Sequence, residues 1–368
     1  HDSNVFDVSS REPTPLAASD IPNRDDRSMR YTANIAAGTG GQGPLQMHLN
    51  AQYTEVDYSA IDSLDHGQYA YSGGLEWKPV PAFDASLIAS QTRAPLSFAD
   101  FGGTQTVLQT TTQAELTLRV RPTPRWQIGL TPPGWRNTKT PLQSAQDFKL
   151  DEKTYRGTVG FLGAGQLVPG LSATHTRGKN SGIATATRYG EDTVQGTLDY
   201  KATGFSTFTF AAGRTQRSTR LIVPATAPQP PATTTSGFTG SIGYRRQLSV
   251  KTAFYFNANR SFQQYDASVN PTVSTGFTTG LDWAATPKFS MSVDTSFAWS
   301  DIQDLPIAGT ISNRSYLVRS YTTNARYQMT QRFSLRTYFT RSMRNSGRTY
   351  SDQYNGNVAG LELSAKID

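Results

Sequence analysis

The sequence predicts an all-β protein, a transmembrane antiparallel up-and-down β-barrel of about 18 strands. Apolar and polar residues alternate with a period of two, connections between the alternating runs are short and long in turn, and no run of about 18 apolar residues could form a transmembrane helix. The stretch Gln113–Leu130 shows the pattern on both sides of a Pro-Thr-Pro turn. Leu116 and Leu118 fall on one face of its first run, and Arg119 and Arg121 fall on the other.

The composition agrees with a barrel. The chain has 368 residues, of which 36% are hydrophobic, and a formal charge of +7. This is polar for a large soluble core, but it suits a barrel in which only every second strand residue faces lipid. A soluble β-sandwich would share the alternation, but its strands are usually shorter and its loops less systematically unequal.

The cellular location follows from the same features. The chain has no cysteine, so it has neither disulfides nor thiolate metal sites, as suits a protein that crosses an oxidising periplasm. It starts at His1 without a signal peptide, which we interpret as a processed start. We expect the outer membrane of a Gram-negative bacterium as its location, and residues 1–368 as a single barrel domain.

Seventeen alternating runs of roughly ten residues are predicted as strands, the length that a tilted membrane strand needs. They are Met29–Ala37, Leu45–Asp57, Gln68–Lys78, Phe83–Ser90, Thr106–Arg121, Arg125–Leu130, Lys153–Leu162, Leu171–Arg177, Thr193–Lys201, Ser206–Arg214, Ser236–Arg246, Leu248–Arg260, Thr275–Ala284, Phe289–Trp299, Ser315–Gln328, Arg332–Arg341 and Asn357–Ile367.

The connections predict the orientation. If the short turns are periplasmic, Ser9–Arg27 is the first extracellular loop and His1–Val8 is the upper end of an eighteenth strand. Short connections are predicted at Gly38–Pro44, Pro79–Pro81, Pro122–Pro124, Gly163–Gly170, Ala202–Gly204, Gln247, Ala285–Pro287 and Met329–Gln331. Long ones are predicted at Gln91–Gln105, Thr131–Glu152, Gly178–Asp192, Thr215–Thr235 and Ser300–Arg314.

The two faces of the strands predict a pore. Aromatic residues of the apolar face gather near strand ends, as girdles at two membrane interfaces would: Trp77, Trp126, Trp283, Phe289, Trp299 and Phe333. A charge facing hydrocarbon costs roughly 2–4 kcal/mol at mid-depth, so the charged face lines the interior. About eighteen strands enclose a space too wide for side chains to fill, and no stretch resembles a plug. The candidate pore-lining residues are Arg30, Arg119, Arg121, Arg156, Asn257, Asn324, Arg326 and Arg336.

The arginines on this face allow two interpretations. Fixed cations in a confined channel concentrate anions, and guanidinium groups pair with carboxylates, so the pore could conduct something acidic. The arginines could equally form ion pairs with Asp and Glu that only stiffen the wall. Tyr255 and Tyr338 could stack on sugar rings or could simply pack.

Other functional classes are not indicated. Gly38–Gly43 matches G-x-G-x-x-G, but Pro44 and another strand follow, so no helix N-terminus is present to bind a pyrophosphate. The four histidines lack metal-ligand spacing, no nucleophile motif with a partnered His is found, and the cations are too dispersed for a nucleic-acid site. The sequence therefore predicts a protein that is not an enzyme, with no cofactor, no metal and no nucleic-acid partner.

The first eight residues, HDSNVFDV, resemble the opening of the EpsL-like outer-membrane β-barrel proteins of exopolysaccharide operons. Asp2, Asn4, Val5 and Phe6 match the Asp-x-Asn-Val/Leu-Phe-Arg element of that group, and Asp7 stands where the group usually has Arg. The resemblance implies export of a polysaccharide through the outer membrane, delivered by periplasmic polysaccharide-export proteins. We expect the barrel to be monomeric in outer-membrane lipid.

Three functions remain open at this stage. The first is an exopolysaccharide export porin, and the second is a passive uptake porin for small anions or sugars. The third is a structural barrel that surrounds or anchors another protein. A loop Thr215–Thr235 folded into the pore would favour the uptake porin.

Overall fold

The computed structural model describes residues 28–39, 43–59, 64–95, 106–141, 147–163, 165–181, 186–223, 230–264, 271–302, 314–346 and 354–365. Over these residues the protein is an all-β structure of seventeen strands. No helix among them is long and apolar enough to cross a membrane.

Each of the seventeen predicted strands corresponds to one observed strand. The strands are β1 (Ser28–Gly38), β2 (Leu45–Tyr58), β3 (His66–Val80), β4 (Phe83–Pro95), β5 (Leu108–Thr123), β6 (Trp126–Thr140), β7 (Phe148–Phe161), β8 (Leu167–Ser181), β9 (Ala186–Thr203), β10 (Ser206–Ile222), β11 (Thr233–Ser249), β12 (Thr252–Gln264), β13 (Pro271–Ala284), β14 (Phe289–Ile302), β15 (Arg314–Gln328), β16 (Phe333–Ser346) and β17 (Tyr354–Ala365).

The sheet is an up-and-down meander in which each strand pairs antiparallel with the next one along the chain, from β1 with β2 to β16 with β17. Tight connections such as 81–82 and 204–205 lie at one end, which we call the short-turn end. The strand ends Pro95 and Leu108, and likewise Ile302 and Arg314, pair at the other end, which we call the long-loop end. The predicted asymmetry of the barrel is therefore confirmed.

The two outermost strands have one partner each. Within the described ranges, β1 pairs with β2 alone and β17 with β16 alone, so the sheet is not closed there. Both strands run from the long-loop end to the short-turn end, and an even-numbered barrel requires one more antiparallel strand between them. The predicted eighteenth strand, His1–Val8, and the loop Ser9–Arg27 lie outside the described residues.

Most predicted long loops contain more strand than expected. The predicted loop Thr131–Glu152 includes the end of β6 and the start of β7, and Gly178–Asp192 is largely β8 and β9. Thr215–Thr235 includes the end of β10 and the start of β11. In these extensions the outward face is also polar, so apolar alternation stops. The ladder of backbone hydrogen bonds continues, because it does not require lipid.

The predicted turn at Gln247 is wrong, because this residue lies inside β11. The turn is formed by Val250 and Lys251, and β12 starts at Thr252. The register shifts between Gln247 and Ser249. This irregularity interrupts the alternation of the strand, and the interruption is what suggests a turn in the sequence. In the turn between β7 and β8, Gly165 has φ of +65°, a conformation that glycine adopts without strain.

One face of the sheet carries an apolar belt. At the short-turn end Trp77 packs edge-on against Phe83 with ring centroids 5.8 Å apart, and Trp283 packs in the same way against Phe289 at 6.3 Å. At the other margin, Trp299 contacts Phe297. The ten residue steps from Phe289 to Trp299 span roughly 34 Å of strand, or about 26 Å of height at a tilt of about 40°. This matches the apolar band of a barrel that spans a membrane.

Candidate functional site on the polar face

The pairing register places all eight predicted pore-lining residues on the face opposite the belt, which we call the polar face. Residues directly opposite in neighbouring strands project to the same side. Arg156 is opposite Thr131 and Thr174, and Arg326 is opposite Arg336. The remaining predicted residues have these partners: Arg30 with Val56, Arg119 with Asp84, Asn257 with Gly243 and Thr278, Asn324 with Ser292 and Tyr338, and Arg336 with Glu362. Arg121 is on the same side of β5 as Arg119 and bonds to the same carboxylate.

Hydroxyl groups cover the middle of the polar face. Thr193 and Thr215 are joined by a hydrogen bond of 2.8 Å between their Oγ1 atoms, and Thr215 is 3.3 Å from the Oγ1 of Thr239. The same cross-strand pairing recurs around the sheet: Thr32–Thr54, Thr111–Thr138, Thr117–Thr131, Thr154–Thr176, Ser320–Ser342 and Thr322–Thr340. The short side chains lie along the wall and satisfy one another, so the surface is hydrophilic and nearly neutral.

A layer of charges lies near the short-turn end. The buried carboxylate of Asp84, 3% exposed, accepts hydrogen bonds from Arg119 at 3.1 Å and from Arg121 at 3.2 Å. Further along the sheet, Arg245 pairs with Asp282 at 3.3 Å, and Arg336 pairs with Glu362 at 3.5 Å. The predicted arginines Arg119, Arg121 and Arg336 therefore have carboxylate partners, as the stiffened-wall interpretation proposed.

Two predicted arginines in this part of the face have no such partner. Among the described residues, no carboxylate forms an ion pair with Arg156 or Arg326. Glu115 and Asp199 on the same face likewise lack a cation partner there, and they offset part of this positive charge. The wall is thus closer to neutral than the number of arginines suggested.

A second polar cluster lies at the long-loop end, on the extensions of β6–β10. Tyr189 and the guanidinium of Arg136 both donate to the carboxylate of Glu152. Arg217, only 4% exposed, lies over the ring of Tyr189 at 3.9 Å from its centroid and 3.6 Å from an oxygen of Glu191. Phe148, Leu150 and Tyr189 form the buried apolar part of this cluster.

Burial affects the ionisation of Glu191 in this cluster. Glu191 lies beyond the apolar belt, in the part of β9 that extends from the membrane. Burial raises the pKa of its carboxyl, and the nearby Arg217 partly counteracts that rise.

Sequence reasoning did not identify Asp84, Glu152 or Arg217 as functional. The role of Asp84 depends on its pairing with Arg119, and periodicity alone does not give register. Glu152 and Arg217 lie in segments that the sequence predicts as loops, because both faces are polar there. The sequence gives no signal for this strand segment, since Thr187, Tyr189 and Glu191 alternate with residues that are on the whole no less polar.

The chain was compared with known proteins, and no protein-family model and no curated protein matches it. Solved structures do match. The alcaligin outer membrane receptor FauA of Bordetella pertussis is 13% identical with a TM-score of 0.54, covering 93% of this chain and 63% of its own. The ferric yersiniabactin uptake receptor FyuA of Yersinia pestis is 14% identical with a TM-score of 0.53, covering 93% and 65%.

The ferric citrate transporter FecA is 13% identical with a TM-score of 0.55, covering 92% of this chain and 61% of its own. This chain thus spans less than two thirds of the length of these three proteins, and at such identity the similarity concerns the fold. The fold is that of outer-membrane β-barrels. Together with the apolar belt, it locates the protein in a bacterial outer membrane.

Proposed function

We propose that the chain forms a channel that exports an exopolysaccharide across the outer membrane, with the polar face lining the path. The polar face carries this proposal, because its hydroxyl-covered middle and its paired charges offer many weak contacts and few strong ones. A long hydrophilic polymer needs such contacts, since tight binding at one point would stop its movement. Threonine and serine hydroxyls both donate and accept hydrogen bonds, as sugar hydroxyls do.

Two further observations support the proposal, one for transport in general and one for polysaccharide as the substrate. The solved structures named above are receptors and transporters of small molecules, which supports transport in general. The choice of polysaccharide as the substrate rests on the resemblance of HDSNVFDV to EpsL-like proteins. These eight residues lie outside the part of the chain that the structure describes. We further propose that the barrel is monomeric and receives the polymer from periplasmic polysaccharide-export proteins.

Removal of the protein from the producing cell tests the substrate. Extracellular polysaccharide should fall severalfold and polymer should accumulate in the periplasm, because synthesis continues while the exit is missing. Polymer is measured as hexose in the medium and in the periplasmic fraction, with re-expression of the intact chain as the control. Unchanged secretion would contradict export by this protein.

A second candidate is passive uptake of small anions, which Arg156 and Arg326 favour because no carboxylate in the described part of the chain pairs with them. If they attract anions, the double substitution Arg156→Gln with Arg326→Gln should abolish anion preference in planar bilayers, seen as a reversal potential near zero in a salt gradient. The matched control is Arg188→Gln with Arg220→Gln, an adjacent exposed pair on the outward face. The export proposal expects polysaccharide secretion to survive the Arg156 and Arg326 changes, whereas the uptake proposal expects anion uptake to fall.

A further inference from the structure

Aromatic rings on the polar face lie against glycines of the neighbouring strand. In four places a ring is directly opposite a glycine, and a Cβ built on that glycine would overlap the ring. Each ring therefore lies flat along the wall instead of projecting into the channel. The pairs are His48 with Gly74, Tyr189 with Gly178, Tyr255 with Gly280 and Tyr338 with Gly360.

The rings differ in what covers their second face. Tyr189 is enclosed, because Gly178 lies under the ring and Arg217 lies over it at 3.9 Å, which leaves the residue 6% exposed. Tyr338 has Gly360 beneath it and the guanidinium of Arg336 over it at 5.7 Å from the ring centroid, and the residue is only half-buried. The guanidinium is farther from this ring than Arg217 is from Tyr189, and part of the Tyr338 ring is exposed on the polar face.

Planar polar groups lie next to the partly exposed ring of Tyr338. Asn324 is its direct partner on β15, and the Asn324 Oδ1 accepts a hydrogen bond of 2.9 Å from Arg336. Arg336 also pairs with Glu362 at 3.5 Å, and both side chains are about half exposed. A hydrogen-bonded amide, guanidinium and carboxylate are thus held next to an aromatic surface, with the guanidinium over part of it.

This combination has the chemistry that a sugar ring requires. A pyranose has a face of C–H groups, which packs on an aromatic ring, and an edge of hydroxyls, which bonds to coplanar amide, carboxylate and guanidinium groups. Ligand sites in general combine such an apolar surface with a few convergent polar groups. Because the ring is supported by glycine, it is already oriented before a ligand arrives.

We propose that Tyr338, together with Asn324, Arg336 and Glu362, is a binding subsite for one sugar ring of the transported glycan. This inference rests on the proposed function and adds a defined contact to it. The subsite lies near the short-turn end, where β16 starts at Phe333, so an exported polymer meets it soon after entering the channel. Contact through one ring face keeps the binding weak enough for the polymer to slide.

Blockade of single-channel current by maltohexaose, a neutral oligosaccharide, tests the subsite in planar bilayers. Tyr338→Leu should shorten each blockade about tenfold, since loss of a central aromatic contact usually costs more than a factor of five in binding. Tyr338→Phe keeps the ring and should behave like the unaltered protein. Tyr327→Leu, an exposed tyrosine on the outward face of β15, is the matched control and should have no effect.

Asn324→Ala and Gly360→Ala provide two independent variants. The first removes the amide alone, the second lifts the ring from the wall, and both should shorten the blockades severalfold. Two results would overturn the subsite but not the channel. One is normal conductance of the unaltered protein without maltohexaose blockades. The other is blockades of unchanged length in the Tyr338→Leu, Asn324→Ala and Gly360→Ala proteins. Absence of conductance in the unaltered protein would overturn the channel itself.

Discussion

Replacing Val293 with arginine is expected to destabilise the folded barrel by about 2–4 kcal/mol, the cost of an arginine facing lipid near the bilayer midplane. Val293 is 41% exposed on the apolar face of β14, between the aromatic margins at Phe289 and Trp299. Its substitution would place a guanidinium in hydrocarbon without a partner. Urea unfolding of the protein in phospholipid vesicles, followed by tryptophan fluorescence, measures the loss.

The matched control is Ser296→Arg, three residues along the same strand on the polar face. There the guanidinium faces the aqueous side of the wall, so the free energy of unfolding should change by less than about 1 kcal/mol. Equal destabilisation by both substitutions would contradict the assignment of the two faces, and with it the channel.

Gly178→Ala is expected to destabilise the long-loop end by about 1–3 kcal/mol, as overpacking of a well-packed site does. The new methyl group would occupy the space of the Tyr189 ring, which is held between Gly178 and Arg217. Displacing that ring also disturbs its bond to Glu152. The same urea titration gives the free energy, and hydrogen exchange should locate the loss at β8, β9 and their neighbours.

Gly190→Ala serves as the control for this change. Gly190 adjoins Tyr189 in β9 and is directly opposite Arg177, the neighbour of Gly178, but a Cβ at position 190 meets no atom within 4 Å. Its substitution should be neutral or slightly stabilising, because alanine restricts the unfolded chain more than glycine does. If Gly178→Ala were equally harmless, the ring would not depend on glycine for its place.

The extensions of β6–β10 show where sequence reasoning loses information. Along the belt, lipid on one side and water on the other impose an alternation that is visible in the sequence, so those strand segments were predicted. Beyond the belt both faces meet polar surroundings, and Arg188, Tyr189 and Gly190 carry no contrast that marks them as a strand. The sequence therefore predicts loops where the strands in fact continue.

The polar face shows a second limit, which concerns partners. Arg119 and Arg326 look alike in sequence, since each alternates with apolar neighbours near a tight turn. The structure gives Arg119 the buried carboxylate of Asp84, 35 positions away, whereas Arg326 stands opposite another arginine. Whether a cation attracts a solute or stabilises the wall depends on such pairings.

The sequence by itself determined the number of described strands, the direction of the meander and which face meets lipid, because a period of two and the cost of charge in hydrocarbon are local properties of the chain. Only the tertiary structure decided which charges neutralise one another, how far the strands extend from the membrane, and which aromatic rings rest on glycine. These features depend on register, which joins residues distant in sequence and leaves no mark on either strand alone.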